Sequence, residues 1–173
     1  MKSQFKGAWL HHDPEGSQIL LERTVLAQAT AIGNPWLPHL HYAFRDGKYL
    51  HLVMDYEPGG DLYIFLSKVG HLLDSKMVQF YAAEAVEAIH SLHQMGYIHC
   101  DLKPENFAIE RSGHLKLIDF GSAIRLHADG KCICPSMVGT KEHLNIELLR
   151  QRGRHNQEPL LVGPEFDYWC IVI

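Results

Sequence analysis

From Asp74 to Gly96 apolar side chains recur at helical spacing, and no other stretch of the sequence constrains the fold as strongly. Met77, Phe80, Tyr81, Ala85, Ile89 and Leu92 fall on one side of a helix running to about Met95. Asp74-Ser75 can start it, and Gly96 can end it in the left-handed conformation. Upstream, Pro58-Gly59-Gly60-Asp61 breaks the chain, and Asp61 can cap the next helix. A further helix is expected from about Ser17, with Leu20, Leu21, Val25 and Leu26 on one side and Gly33-Asn34-Pro35 at its end. Leu40, Tyr42 and Phe44 then alternate up one strand, and Tyr49, His51 and Val53 down another. Asp46-Gly47 between them predicts a type I′ turn. Two short apolar runs from Phe107 to Phe120 flank Ser112-Gly113 and read as a second hairpin. The remainder is polar and expected to be irregular until Phe166. Helices and antiparallel strands are segregated, so the class is α+β.

The chain of 173 residues is long enough for one domain with a core. Its net charge of −4 gives no basic surface for nucleic acid. No apolar run reaches the roughly 18 residues of a membrane span. Four cysteines, Cys100, Cys132, Cys134 and Cys170, are too sparse for a disulfide scaffold. A reducing, cytoplasmic setting is therefore expected. Cys132-Ile133-Cys134 offers one tight pair where structural zinc wants two, so a flexible loop is expected there. His90 and His93 share a helix face and His39 and His41 a strand face; both pairs read as solvated or core histidines.

Two acidic loops carry the chemistry. His99-Cys100-Asp101-Leu102-Lys103-Pro104-Glu105-Asn106 follows the long helix, and Asp119-Phe120-Gly121 ends the second hairpin. Phosphoryl transfer from ATP needs a carboxylate facing the acceptor hydroxyl, a cation near the moving phosphate and oxygen ligands for Mg²⁺. Asp101, Lys103, and the pair Asn106 with Asp119 supply these in order. Either loop alone is a weak signal; both together, around one short hairpin, are a strong one.

With these motifs the chain resembles the eukaryotic Ser/Thr protein kinase domain across nearly all its length. Lys103-Pro104-Glu105-Asn106 is similar to the Ser/Thr form of the catalytic loop, and Gly139-Thr140 to the end of a Ser/Thr activation segment. Pro35-Trp36-Leu37-Pro38, Tyr42-Ala43-Phe44, the run Val53 to Leu62 and Met95-Gly96-Tyr97-Ile98-His99 resemble the Rho-effector branch of the AGC group. Asp119-Phe120-Gly121-Ser122-Ala123 narrows this towards the citron-like kinases. The resemblance implies a two-lobe fold, incomplete in this chain. Residues 1–56 would be a remnant of the small lobe, and 57–173 the hinge and part of the helical large lobe. It implies Asp101 as catalytic base, Lys103 steadying the transferred phosphate, Asn106 and Asp119 holding Mg²⁺, and Thr140 bonding to the catalytic loop. Met54 would be the gatekeeper, the backbone of Asp55 and Glu57 would grip adenine, Asp61 the ribose, and Ala108 would floor the adenine pocket. Glu22 would pair with the phosphate-binding lysine. Leu26, Leu40, His99 and Phe120 would stack as a spine anchored by Asp167. The partner implied is a protein with a Ser or Thr acceptor. Rho GTPase contact would depend on regions outside this chain, and a cytokinesis role is implied by the citron-like resemblance alone.

The departures from the family also set expectations. No Gly-x-Gly-x-x-Gly precedes Glu22; Gly7 and Gly16 are isolated. Lys2 stands at the family's spacing from Glu22, but a lysine at the chain's start is expected to fray. The small lobe is expected to retain a single hairpin with an unpaired edge. Cys100 replaces the arginine that receives an activation-segment phosphate, so phosphorylation of Ser136 is not expected to switch the protein. Asn145-Ile146-Glu147 stands where Ala-Pro-Glu is usual. The expectation is a Ser/Thr kinase domain using ATP and Mg²⁺, weak or inactive as this chain alone. The alternative is a pseudokinase or fragment acting as a protein-binding module.

Overall fold

A computed structural model of the chain describes residues 1–6, 17–70, 73–134 and 160–171. Strand β1 (Lys2–Phe5) is followed by α1 (Ser17–Ala31), β2 (Leu40–Arg45) and β3 (Tyr49–Met54). These elements form a three-stranded antiparallel sheet in the order β1-β3-β2, with α1 against it. The expected lone hairpin is therefore corrected: β1 covers the free edge of β3, pairing Lys2 with Leu52 and Phe5 with Tyr49. Alternation decides which side chains α1 meets, and Leu52 is buried while Tyr42 and Phe44 face outward.

Helix α1 buries Ile19, Glu22, Val25, Leu26 and Ala29. The expected apolar side is shifted by one position, because Leu20 is exposed and Ile19 takes its place. The β2–β3 turn also differs from the expected type I′. That turn needs positive φ at both central residues, and neither Asp46 nor Gly47 has it. The Asp46 carboxylate closes the turn instead, accepting from the backbone N–H of Lys48 at 2.7 Å and of Tyr49 at 2.6 Å.

The second part is mainly helical. Asp61 caps α2 (Leu62–Val69) by accepting from the Ile64 N–H at 2.8 Å. Asp74 caps α3 (Ser75–Gln94) in the same way through Met77. Only the second half of α3 is fully covered: Ala85, Ala88, Ile89 and Leu92 are buried, whereas Met77 and Phe80 are exposed. Gly96 ends the helix at φ 85°. Then come β4 (Tyr97–Ile98) and the hairpin of β5 (Phe107–Ile109) and β6 (Leu115–Leu117). Leu115 and Leu117 pack under α3. Glu84 of α3 ties the two together by accepting from the Leu115 N–H at 2.8 Å.

The region expected to be irregular holds three more strands. β7 (Ile124–Arg125) pairs with β4, and β8 (Cys132–Cys134) pairs with β9 (Leu160–Val162). Cys132-Ile133-Cys134 is thus a strand with both thiols buried, not a flexible loop. A short helix, α4 (Glu165–Tyr168), and a 3₁₀ turn over Trp169–Ile171 close the described residues. No described helix is long and apolar enough to cross a membrane.

The two parts meet at the turn Glu57–Gly60. The Gly59 N–H donates to the Ile109 carbonyl at 2.9 Å, and Gly60 accepts from the Ile109 N–H at 2.8 Å. A Cβ on Gly59 would lie 2.6 Å from that carbonyl oxygen and 2.8 Å from the Ile109 Cβ, inside any tolerable contact. Gly59→Ala is expected to lower stability by about 1–3 kcal/mol, read from the urea midpoint. An unchanged midpoint would contradict this close approach.

Candidate functional site

β1 delivers Lys2 to the interior edge of the sheet, facing Glu22 on α1. The Lys2 ammonium donates to both Glu22 carboxylate oxygens at 2.8 and 2.9 Å and to Asp119 Oδ1 at 2.7 Å. The expectation of a frayed Lys2 is overturned: strand pairing fixes its backbone and two carboxylates fix its ammonium. Burial alone would lower the Lys2 pKa, but the two carboxylates outweigh it and hold the group above its usual range. Burial pushes the Glu22 carboxyl up, with Lys2 opposing. Burial would also raise Asp119, but its hydrogen bond and charge contact with Lys2 win and hold that carboxyl low.

Asp119 takes a left-handed backbone, φ 61°, and opens a 3₁₀ turn over Phe120–Ser122. Non-glycine residues rarely adopt this conformation. Here it swings Phe120 into the core, with its ring edge-on to His99 at 5.6 Å. His99 Nε2 donates to the Ile118 carbonyl at 3.0 Å, and Nδ1 accepts from the Asp101 N–H at 3.3 Å, which sets the tautomer. Leu26 and Phe120 lie in one core cluster, with Leu40 packed against it.

The catalytic-loop candidates converge from the other side. Lys103 donates to Asp101 Oδ2 at 2.8 Å. Asn106 donates through Nδ2 to the Asp101 carbonyl at 2.7 Å, and the Asn106 carbonyl accepts from the Ile118 N–H at 2.9 Å. That last bond joins the two acidic loops one residue before Asp119. The second left-handed residue outside glycine is Cys100, φ 65°. Asp167 holds it there, accepting from the His99 N–H at 2.7 Å and the Cys100 N–H at 2.9 Å.

A cavity of about 410 Å³ lies between the two parts. Lys2, Glu22 and Asp119 line one end, and Met54, Asp55 and Glu57 line the hinge. Asp61 and Ala108, bridged strand-fashion to each other, line the remainder. Burial raises the Glu57 carboxyl; the Asp55 carboxyl is held low by the His39 N–H and the His41 ring despite its own burial. Asp101, Lys103 and Asn106 sit on the adjoining loop, whose Glu105 reaches the cavity. Thr140, Ser136 and the stretch Asn145–Glu147 lie outside the described residues.

A cleft between a strand-rich part and a helical part, with a lysine–glutamate pair above and two acidic loops below, defines a protein kinase. The chain belongs to that family: the Protein kinase domain model matches residues 6–173. It is 43% identical over 150 residues to citron rho-interacting kinase of Rattus norvegicus, covering 87% of this chain and 7% of that protein. It is 43% identical over 152 residues to serine/threonine-protein kinase MRCK gamma of Mus musculus, covering 87% and 9%. Against myotonin-protein kinase of Homo sapiens it is 45% identical over 136 residues, covering 79% and 22%. The chain therefore spans less than a quarter of the length of each of these relatives. Relatives such as MRCK gamma are named serine/threonine-protein kinases.

Sequence reasoning missed how Asp167 is completed. His93, read as a solvated or core histidine, also meets the Asp167 carboxylate at 2.8 Å through Nε2. Lys116 of β6, a buried lysine with no local sequence signal, donates to the Pro35 carbonyl at 2.6 Å. The i, i+3 spacing of His90 and His93 could not tell which of the two faces inward.

Lys2→Met would leave Glu22 buried beside Asp119 without its cation. The Lys2 side chain is about one-third exposed, so the loss at neutral pH is expected to be about 1–3 kcal/mol, below that of a fully buried pair. The sign of the pH dependence follows from Glu22. Its folded pKa is raised, so ionisation costs stability as pH rises through that value, and protonation relieves the cost. Urea titrations at pH 7 and pH 5 should show the deficit shrinking in acid; an equal deficit at both would count against a charge origin.

Proposed function

We propose that the chain binds Mg²⁺-ATP in the cavity and transfers the terminal phosphate to a Ser or Thr hydroxyl of a protein. The observation that supports this most is the convergence of Lys2 and Glu22 with Asp119 at one end of the cavity whose other end is the hinge. The donor set suits a divalent cation. Asp119 stays ionised because Lys2 holds its pKa low. Asn106 commits Nδ2 to Asp101, which leaves its Oδ1 as the ligand atom. A bound Mg²⁺ neutralises phosphate charge and orients the terminal group. The protein's own residues do the rest. Lys2 meets phosphate oxygens, and Glu22 fixes Lys2. The backbone of Asp55 and Glu57 reads adenine beneath Met54 and above Ala108, and Asp61 holds the ribose. Asp101 accepts the acceptor hydroxyl's proton, and Lys103, already bonded to Asp101, steadies the moving phosphate. Thr140 would brace the same loop. A cytoplasmic location and a cytokinesis role are proposed from the likeness to citron kinase; Rho contact, which that protein's name records, would involve regions outside this chain.

A second reading, nucleotide or protein binding without transfer, is favoured by Cys100 where the family pattern has arginine. Melting with and without Mg²⁺-ATP separates binding from its absence, and labelled phosphate transfer to a basic protein separates the two readings. The expected result is a nucleotide-dependent rise in Tm that Asp119→Asn abolishes. Asp101→Asn should keep the rise and lower transfer at least about 100-fold, the scale of a lost general base. Persistence of the rise in Asp119→Asn would sink the metal assignment.

A further inference from the structure

Three thiols outside the cavity meet in one apolar cluster: Cys100, Cys132 and Cys134 pack with Ile98, Val162 and Phe166. Strand alternation explains two of them. Cys132 and Cys134 point to the same face of β8, and Ile133 between them is exposed. β9 pairs alongside, Val162 opposite Cys132 and Leu160 opposite Cys134. Cys100 comes from the catalytic loop, fixed in its left-handed conformation by Asp167. The Cys100 and Cys134 thiols are hydrogen-bonded to each other. That contact, with burial added, pushes the Cys100 thiol up, and the same contact lowers the Cys134 thiol against its burial. Burial pushes Cys132 up to about 11.

We propose that Cys100 and Cys134 are a reversible redox pair that closes to a disulfide under peroxide and ties the catalytic loop to β8. With β8 opened to solvent, Cys134 gives up its proton to water and its sulfur attacks one peroxide oxygen, and the O–O bond breaks. A sulfenic acid forms and the departing hydroxide takes a proton to become water. The Cys100 sulfur then attacks the Cys134 sulfur. The S–O bond breaks, and the Cys100 proton leaves with the hydroxide as a second water. Two thiols lose two electrons and the peroxide gains them. A dithiol reductant reverses the bond by exchange. The sulfurs are covered in the closed structure, but each strand of the β8–β9 pair is three residues long. Opening that pair locally costs less than unfolding the domain and admits a small oxidant. The proposal rests on burial and sulfur contact and not on phosphotransfer, so it stands or falls separately from the nucleotide reading.

The test uses the full chain in its native state, treated with hydrogen peroxide, alkylated, digested without reduction and mapped by mass spectrometry. A cross-link between Cys100 and Cys134, lighter by two hydrogens and lost on dithiothreitol, is expected. It should fall to background in Cys134→Ser and stay undiminished in Cys132→Ser and Cys170→Ser. Fragment ions assign the sulfurs in the unsubstituted chain, so the result does not depend on any variant folding. A Cys132–Cys134 link in its place, dominant oxidation at Cys170, or a cross-link that forms only in urea would overturn the proposal.

Discussion

Three donors from two elements converge on the Asp167 carboxylate: the backbone N–H groups of His99 and Cys100 and the ring of His93. All of it is buried, and a buried N–H left without an acceptor costs about 1–3 kcal/mol. The left-handed backbone at Cys100 costs a further ~1–3 kcal/mol. The carboxylate offsets both, and what it holds in place extends a long way. Its grip on His99 leaves the imidazole free to bond Ile118 and pack on Phe120. Phe120 in the core forces Asp119 to turn outward, where Lys2 meets it. Lys2 in turn holds Glu22 on α1. A continuous run of hydrogen bonds and ring contact thus links α4, near the end of the described residues, to the first strand.

The electrostatics of that run are unbalanced by design of the residues present. One ammonium faces two carboxylates, and Asp119 remains ionised because Lys2 lowers its pKa more than burial raises it. A cluster with spare negative charge at the mouth of a cavity is stabilised by an added cation, whereas Glu22, deeper and more buried, is the carboxyl that protonates first.

Much of this was legible in advance, for identifiable reasons. The helix over Ser75–Gln94, its Asp74 cap and its Gly96 stop each have a local cause, so pattern alone found them. The two acidic loops were legible because each motif fixes its residues at short range. What failed depended on contacts distant in sequence. Lys2 looked free because its strand partner, β3, lies about fifty positions on, and no local signal in Lys2–Phe5 announces that pairing. The Asp46-Gly47 turn was misread because an Asx carboxylate can close a turn that glycine conformation otherwise would. β8 was missed because three residues are too few to display a period, and because its partner strand follows only at Leu160.

The cysteine cluster shows how a residue that departs from the family pattern can still fit its site. An arginine at position 100 would need an anionic partner to be buried, since an unpaired charge there costs several kcal/mol. A thiol has no such need, and the space around it is apolar: Ile98, Val162 and Phe166 surround it, and the β8 sulfurs complete the wall. The segment after Asp119 is therefore held against the catalytic loop by packing and a weak sulfur hydrogen bond, where its relatives' pattern calls for charge. Dispersion and burial respond little to added phosphate and strongly to any change in sulfur chemistry. Closure of the proposed Cys100–Cys134 bond would therefore act directly on the loop that carries Asp101.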